Sequence, residues 1–251
     1  MTITIIGGGI IGLTTAFELT ERGESVHLID AETSGYGTAD DGTALYPAAS
    51  HYAGGMLAPI AEVQFQQDAL FPLMTASADA YPSLMERLSR ATDLPTGYDT
   101  TGTLIIAADR ADAEHLQRTR AYYRDMNRPA DPVTPTQARA LEPLLAPRIA
   151  GAVSIPSDHQ LHPRLMRRAL KDALTRRGVT FSTERVTDPD AGDIICTGLG
   201  ATLHGDYPLR PVYGDILRLR APRPILKHVV RGYVNSRPVY LIPRPDGELC
   251  I

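Results

Sequence analysis

The 251-residue sequence predicts an α/β protein with a doubly wound, Rossmann-like domain and an inserted α+β domain built on an antiparallel sheet. Two observations predict this fold class. The chain opens with a glycine-rich turn between a β-branched run and a helical segment. Helical and strand-like segments then follow before a short apolar strand at 193–196 returns to the first sheet. This order is typical of a first domain that is interrupted by a second one.

The N-terminal thirty residues have the pattern of a complete βαβ unit. In chain order, they predict a buried strand at Thr2–Ile6, the turn Gly7-Gly8-Gly9-Ile10-Ile11-Gly12, a helix at Leu13–Arg22 ended by Gly23, and a strand at Ser25–Ile29 ended by Asp30. The turn has G-x-G-x-x-G spacing, and an acidic residue at the end of the second strand completes the pattern.

Each part of this pattern has a physical role. Gly7 permits the tight turn, Gly9 lets a pyrophosphate approach the backbone, and Gly12 lets the helix pack close to the strand. The helix N-terminus supplies free N–H groups that attract phosphate. Asp30 can accept hydrogen bonds from a ribose diol and repels a 2′-phosphate. The pattern predicts a dinucleotide site that disfavours NADP; a glycine-rich turn without a ligand is the alternative.

Beyond this unit, the composition and spacing change several times. Residues 31–53 have a loop-like composition of glycine, threonine, aspartate and serine. Helices are predicted at 71–91, 109–126, 136–141 and 164–177, and strands at 102–107, 151–155, 179–186, 193–196, 213–220 and 239–243. The segments 213–220 and 239–243 are assigned to a separate antiparallel sheet.

Composition argues against several classes of function. The net charge is −4, the pI is about 6.0 and no basic patch stands out, which argues against nucleic acid and anionic membrane as partners. No run reaches the ~20 apolar residues of a membrane helix, and the N-terminus lacks the basic start of a signal peptide. A cytoplasmic protein is expected. Cys196 and Cys250 form no metal-ligand spacing, so free buried thiols are expected.

Four segments carry a resemblance to a known family. They are the N-terminal pattern through Asp30, Ala53–Pro59 (AGGMLAP), Asp158–Arg164 (DHQLHPR) and Tyr240–Gly247 (YLIPRPDG). The second is similar to the family's AAGMLAP, and the fourth to its Y-[IL]-[IV]-P-R-x-D-G strand and turn. On these motifs the whole chain resembles the N-terminal two thirds of the D-amino-acid oxidase-like flavoproteins, and within them the glycine oxidases of thiamine biosynthesis.

The resemblance implies non-covalently held FAD and the oxidation of a small amine or amino acid by hydride transfer to the flavin. The imine product hydrolyses to an oxo acid and ammonia, and oxygen reoxidises the flavin with release of hydrogen peroxide. The implied fold is a doubly wound, Rossmann-like FAD-binding domain with an inserted α+β antiparallel-sheet substrate domain. The expected bounds are 1–82 and 143–212 for the FAD-binding domain, and 83–142 and 213–251 for the substrate domain.

The resemblance also assigns roles by position. Cofactor contacts are expected at Gly7, Gly9, Ile10, Ile11 and Gly12 for the pyrophosphate, at Asp30 and Ala31 for the adenosine ribose, at Val186 for the adenine, and at Ser50, Gly54, Gly55 and Met56 near the flavin. Tyr240 is expected to hydrogen-bond the substrate carboxylate, and Met56 to touch flavin or substrate. A gap-filling methionine and a core tyrosine are the alternatives.

Three other side chains are interpreted structurally. His159 and His162 have HxxH spacing without a third ligand nearby, so a pair of turn residues is preferred to a metal site, and no metal is expected. Arg244 precedes the Pro245-Asp246-Gly247 turn and is predicted to pair with a carboxylate.

The end of the chain leaves alternatives open. The sequence stops at Ile251 inside an apparent strand, whereas the family continues with a segment that completes the flavin site and supplies an arginine for the substrate carboxylate. A truncated, inactive FAD-fold fragment is therefore one alternative. A dehydrogenase-type relative that uses another acceptor is a second, and an NAD-binding dehydrogenase is a third. The amine substrate is left open, and so is a homo-oligomer, which the family often forms.

Overall fold

A computed structural model describes residues 1–31, 49–63, 69–125, 128, 130–186, 188, 190–198, 212, 214–234 and 237–251. The helices are α1 (Ile10–Glu21), α2 (Ala49–Tyr52), α3 (Phe71–Ala91), α4 (Arg110–Asp125), α5 (Pro135–Leu141) and α6 (Pro163–Arg176). The strands are β1 (Thr2–Ile6), β2 (Ser25–Ile29), β3 (Met56–Leu57), β4 (Thr103–Ala107), β5 (Asp131–Val133), β6 (Gly151–Ile155), β7 (His159–Gln160), β8 (Thr180–Ser182), β9 (Ile194–Ile195), β10 (Arg218–Arg220), β11 (Val229–Val234), β12 (Arg237–Pro243) and β13 (Glu248–Cys250). Within these ranges no helix is long and apolar enough to cross a membrane.

The chain divides into two compact units, each made of separate stretches of sequence. Unit 1 comprises Met1–Ala53, Leu84–Thr96 and Pro163–Asp215, and unit 2 comprises Gly54–Ser83, Gly97–His162 and Ile216–Ile251. One boundary between the units falls inside α3, between Ser83 and Leu84. It lies next to Pro82, which has no backbone N–H to donate within the helix. Residues 54–83 and 143–162 therefore belong to unit 2, whereas the N-terminal pattern belongs to unit 1. The assignment of a cofactor and a substrate to separate domains stays a prediction.

Unit 1 is built on a four-stranded parallel sheet in the order β8-β2-β1-β9. Because Ile5 pairs with Ile194, and Ile6 with Ile195, the prediction that residues 193–196 return to the first sheet is confirmed. Helix α1 begins three residues earlier than predicted, since Gly9 already serves as its N-cap. Helices α1 and α6 pack together, and their apolar faces join β1 and β2 in a buried core of Ile5, Leu13, Ala16, Phe17, Leu28, Met166, Leu170 and Leu174.

Unit 2 is built on a seven-stranded sheet in the order β10-β13-β12-β11-β4-β6-β5. All neighbouring strands are antiparallel except β4 and β11, which run parallel. The predicted segment 239–243 lies within β12, and the described part of 213–220 contains the shorter β10. Strand β13 separates the two, so they share the sheet without being neighbours. Strand β11 was not predicted, since Arg231 interrupts its apolar pattern, whereas β13 is the apparent strand in which the sequence stops.

The two faces of this sheet carry different helices. On one face, Leu104, Ile106, Ala152, Val230 and Leu249 form a cluster with Ala138 of α5. On the other, Ile105, Ala107, Val153 and Ile155 form a cluster with Leu116 and Tyr123 of α4 and with the segment 58–63. This alternation follows the two-residue period of a strand. The second face also carries the candidate substrate residues described below.

Candidate functional site

The glycine turn of unit 1 connects β1 to α1, and at Gly7 and Gly12 its backbone leaves no room for a side chain. Gly7 has φ of +106°, and a Cβ there would lie 2.4 Å from the Cys196 carbonyl oxygen. A Cβ on Gly12 would lie 1.9 Å from the Gly7 carbonyl oxygen. The turn therefore packs backbone against backbone. Its geometry agrees with the predicted reasons for glycine at these two positions.

Gly9 differs from these two glycines because, among the described residues, the space beside it is open. Its φ is −68°, which any residue can adopt, and a Cβ would have Ser50 Oγ at 4.0 Å as its nearest neighbour. The first helical hydrogen bond runs from the Leu13 N–H to the Gly9 carbonyl (3.0 Å). The N–H groups of the preceding first turn have no intrahelical acceptor, and the N-cap residue Gly9 has no side chain to cap them. Open space in front of free donors is suited to an anionic group.

Asp30 lies against the glycine turn at the end of β2. Its backbone N–H donates to the Ser182 carbonyl of β8 (3.0 Å). A Cβ on Gly8 would lie 2.2 Å from Asp30 Oδ2, so glycine at this position lets the carboxylate approach the turn. Gly8 was not among the predicted site residues. Its position between the two motif glycines, beside the terminal acid, was the available signal.

Two arginines of α6 bind backbone carbonyls, one in this turn and one in α2. Arg167 is buried, and its Nη2 donates to the Gly8 carbonyl (2.9 Å). Arg164 Nε donates to the His51 carbonyl of α2 (3.1 Å), the short helix that carries Ser50. Neither residue was predicted for this role. Arg167 lies three and seven residues before Leu170 and Leu174, so a charged residue on the buried stripe of α6 was the missed signal.

Ser50 is the predicted site residue with an unused polar group. Within the described ranges its Oγ is buried and has no hydrogen-bond partner. A buried hydroxyl without a partner costs free energy unless a ligand or water completes it. Unit 1 also contains Ile10 and the exposed Ile11 in the first turn of α1, the exposed Ala31 after Asp30, and the half-buried Val186 beyond β8. Their predicted contacts with a cofactor stay predictions.

The remaining predicted residues belong to unit 2. Met56 pairs with Gln160 across the short β3–β7 ladder, and the Leu161 N–H donates to the Gly55 carbonyl (2.9 Å). Gly55 has φ of +84°, and a Cβ on Gly54 would meet the Ile242 side chain. The Gly54–Met56 segment is thereby fixed against Gln160 and Leu161, and against Ile242 still later in the chain.

Arg244 completes this fixation, and the prediction that it pairs with a carboxylate is wrong. Its Nη1 donates to Gln160 Oε1 (3.0 Å) and to the Leu161 carbonyl (2.9 Å), and its Nη2 donates to the Gly54 carbonyl. The side chain is buried at the end of β12, where carbonyl oxygens converge on it. Desolvation lowers the pKa of this guanidinium.

Met56 and Tyr240 are brought together by the fold. Both pack against a buried cluster of Val229, Ile242 and Cys250. The two predicted substrate residues are 184 positions apart in sequence, yet both pack on this one cluster of unit 2. This juxtaposition agrees with the roles implied for them, without itself testing those roles.

The two histidines of the HxxH segment make separate contacts. Tyr98 Oη lies 2.7 Å from His159 Nδ1, whereas His162 Nε2 lies 4.0 Å from Glu248 Oε1. Burial lowers the pKa of both imidazoles. Within the described residues no group of three potential metal ligands is found. Both cysteines are free; Cys250 is buried, Cys196 is half-buried, and desolvation raises the pKa of each thiol.

Comparison with known families identifies the chain. Residues 2–251 match the family described as "FAD dependent oxidoreductase", and the chain belongs to this family. The FAD cofactor that the resemblance implied is thus the cofactor of its family. The residues of unit 1 fit such a group: the open space at Gly9, the uncapped N–H groups of α1 and the unpartnered Ser50 hydroxyl could all be used by a dinucleotide.

Several curated relatives match almost the whole chain. A glycine oxidase of Geobacillus kaustophilus is 28% identical over 99% of this chain and 68% of its own length. A putative thiamine biosynthesis oxidoreductase ThiO of Rhizobium etli is 30% identical over 100% of this chain and 70% of its own. A bifunctional ThiO/ThiG protein of Nostoc sp. is 26% identical over 99% of this chain, which spans 39% of the bifunctional protein.

The fold agrees with these relationships. The crystal structure of the Geobacillus kaustophilus glycine oxidase superposes with a TM-score of 0.81 at 27% identity, covering 99% of this chain and 69% of that chain. The predicted fold class, a Rossmann-like FAD-binding domain with a second α+β domain, is therefore confirmed. The prediction of an FAD-dependent amino-acid oxidase is also supported at the level of the family.

Proposed function

We propose that this chain belongs to an enzyme that oxidises a small amino acid of the glycine type to its imine, with release of the oxo acid, ammonia and hydrogen peroxide. The names of its relatives support this class of reaction and suggest a role in thiamine biosynthesis. The observation that carries the proposal is the shared packing of Met56 and Tyr240 on one cluster of unit 2. Two segments that resemble glycine oxidase separately are thus adjacent in space.

In this proposal, unit 1 binds the cofactor. The N–H groups at the start of α1 hold the pyrophosphate in the space beside Gly9, and Asp30 accepts hydrogen bonds from the adenosine ribose. Ala31 and Val186 contribute backbone groups to the ribose and the adenine. The Ser50 hydroxyl, buried without a partner among the described residues, donates to the bound group. Bound FAD supplies the two-electron acceptor for the substrate C–H bond.

Unit 2 supplies the substrate contacts. Tyr240 donates a hydrogen bond to the substrate carboxylate, and Met56 provides an apolar wall next to it. Arg244 holds the Gly54 carbonyl and the Leu161 carbonyl, so the backbone that precedes Met56 keeps one position when substrate binds. A fixed position for the contact residues reduces the entropy lost on binding.

The proposal is tested by adding substrate to the purified protein loaded with FAD. Under anaerobic conditions, glycine, sarcosine or D-alanine should bleach the visible flavin absorption, and admission of oxygen should restore it with one equivalent of peroxide. A protein that binds FAD and stays oxidised with all three amines would refute the proposal. Bleaching without peroxide, together with dye reduction, would instead identify a dehydrogenase.

Tyr240→Phe tests the assigned contact. Loss of one hydrogen bond to a carboxylate should raise KM for glycine by roughly tenfold, with a smaller change in kcat. Tyr98→Phe is the matched control, since it removes another tyrosine hydroxyl of unit 2 that lies 2.7 Å from His159. Equal kinetic changes in the two variants would remove Tyr240 from the substrate site.

A further inference from the structure

Gln160 lies between Met56 and an aspartate that the sequence did not single out. The residue is 3% exposed. In the β3–β7 ladder it is paired with Met56, and on its opposite edge its backbone exchanges two hydrogen bonds with the half-buried Asp99 (2.8 and 2.9 Å). Directly paired residues of neighbouring strands project their side chains from the same face. The side chains of Asp99, Gln160 and Met56 therefore lie in one row.

The side-chain amide of Gln160 connects a carboxylate to a guanidinium. Its Nε2 donates to Asp99 Oδ2 (3.4 Å), and its Oε1 accepts from Arg244 Nη1 (3.0 Å). An ionised carboxylate only accepts hydrogen bonds, and a guanidinium only donates them. Because of this, only one orientation of the amide satisfies both neighbours. Asp99 therefore determines which end of the amide faces Arg244.

Asp99 uses both carboxylate oxygens for this purpose. Its Oδ1 accepts from the Thr101 N–H (2.8 Å) and from the Thr101 hydroxyl, while Oδ2 accepts from Gln160. An asparagine with its oxygen towards Thr101 would present an NH2 group to the NH2 group of Gln160. The Gln160 amide would then have to turn over, which would direct its NH2 group at the donors of Arg244.

Arg244 extends these contacts to the backbone that precedes Met56. Its Nη2 donates to the Gly54 carbonyl, and its Nη1 also donates to the Leu161 carbonyl (2.9 Å). Since the guanidinium is buried, water does not readily replace an acceptor lost at Nη1. The contacts from Asp99 through Gln160 and Arg244 to the Gly54 carbonyl are called the relay below.

Other charged groups lie near the two ends of the relay. Burial lowers the pKa of the Arg244 guanidinium, and two charged residues act on it as well: Glu248 and Arg218. Burial also lowers the pKa of His159, and the Asp99 charge opposes this effect. In the described part of the chain, none of these groups hydrogen-bonds to the side chain of Gln160. The orientation of the amide thus depends on Asp99 and Arg244.

We propose that Asp99 and Gln160 are positioning residues, which act through Arg244 to hold the Gly54–Met56 backbone so that Met56 lines the substrate site. Neither residue contacts the substrate. Asp99 lies outside the four segments that carry the family resemblance, and its role follows from hydrogen-bond geometry alone. The inference rests on the proposed function, because that function places Met56 next to the substrate.

The test reverses the donor and acceptor order of the relay and then restores it. Asp99→Asn directs an NH2 group at the Gln160 amide, and Gln160→Glu places two carboxylates side by side. In the double variant Asp99→Asn/Gln160→Glu, the asparagine NH2 group donates to one oxygen of the glutamate, and the other oxygen accepts from Arg244. The double variant should therefore recover what each single variant loses.

The position of Met56 is measured without substrate or turnover, by NMR of the full chain labelled with carbon-13 at the methionine methyl groups. The chain has six methionines, and Met56→Leu identifies the signal of interest. Each single variant should shift the Met56 resonance by more than a linewidth, and the double variant should return it. The resonance of Met166, which is buried in unit 1, should stay unchanged in all variants.

Turnover of glycine by the chain loaded with FAD gives the second readout. Asp99→Asn should raise KM by roughly three- to tenfold with a smaller change in kcat, and the double variant should return KM to within about twofold. Asp79→Asn is the matched control, because it removes the same charge from unit 2 at a side chain that is 67% exposed and pairs with Arg128. It should change neither KM nor the Met56 resonance.

Two results would overturn the inference. An unchanged Met56 resonance in both single variants would show that the relay does not set the position of Met56. Losses that the double variant does not recover, including a failure of all three variants to fold, would assign Asp99 and Gln160 to general stability. Failure of the proposed function is distinguishable, since a chain that oxidises no glycine can still show the Met56 shift and its recovery, which would support the relay alone.

Discussion

The glycine turn of unit 1 and the Arg244 network of unit 2 hold backbone in place by opposite means. At the turn, Gly7 and Gly12 allow backbone atoms to touch because they have no side chains. In the network, one buried side chain reaches three oxygens on two remote segments. The first arrangement is local and depends on excluded volume. The second is non-local and depends on hydrogen bonds to a buried charge, so the two should fail differently on mutation.

The largest expected effect is that of Gly12→Val. A Cβ here would lie 1.9 Å from the Gly7 carbonyl oxygen, and rigid backbone cannot move away cheaply. We expect loss of the folded protein or destabilisation above about 4 kcal/mol, together with loss of FAD. Circular dichroism and flavin absorption of the purified protein measure both. Gly151→Ala is the control, because no atom of the described residues lies within 4 Å of its Cβ position. A folded, yellow Gly12→Val protein would show that the turn tolerates volume.

Arg244→Met tests the network and should cause a smaller loss of stability. Each carbonyl left without its donor costs about 1–3 kcal/mol, offset in part by removal of a buried charge, so a net loss of about 2–4 kcal/mol is expected. Urea unfolding measures it, and Arg244→Lys should recover part of it. The exposed Arg220→Met should change stability little. An Arg244→Met protein as stable as the unaltered chain would show that water replaces the guanidinium without cost.

Gly9→Ala separates a glycine required for the fold from a glycine required for a ligand. Its φ of −68° suits alanine, and its nearest described neighbour would be Ser50 Oγ at 4.0 Å, so the loss of stability should not exceed the roughly 1 kcal/mol by which alanine is a poorer N-cap. A methyl group in the space assigned to the pyrophosphate should weaken FAD binding by roughly tenfold, which is ~1.4 kcal/mol. Quenching of FAD fluorescence gives the Kd. An unchanged Kd would place the pyrophosphate elsewhere.

Asp158 is expected to make the stability of the folded chain depend on pH. Burial raises the pKa of its carboxyl to about 7, so between pH 4 and 7 the folded chain retains a proton that the unfolded chain releases. Its contribution to stability is full below the ordinary pKa and is lost as pH rises through the folded pKa. Asp158→Asn should remove this slope, which reaches ~1.4 kcal/mol per pH unit. Urea unfolding at pH 5 and pH 7.5 measures the difference. Parallel pH profiles of the two proteins would contradict the raised pKa.

The sequence by itself determined the local elements. The βαβ unit, its glycine turn and Asp30 could be predicted because each depends on neighbours within thirty residues, where steric limits and hydrophobic period act directly. The same holds for β4, α4 and β6, because the spacing of their apolar residues is regular in the sequence. Strand β11 was missed because its apolar residues surround Arg231 and Gly232, a pattern that is explained by the pairing with Tyr240 and not by local spacing.

The tertiary structure decided which distant residues meet. Arg244 was expected to find a carboxylate, and instead binds carbonyl groups of Gly54, Gln160 and Leu161, because the end of β12 is buried against those segments. The contact of Arg167 with Gly8, and the position of Arg231 beside Tyr240, have the same origin. Sequence spacing constrains residues one or two turns apart, whereas contacts between remote segments depend on strand order and register, which follow from packing of the whole sheet.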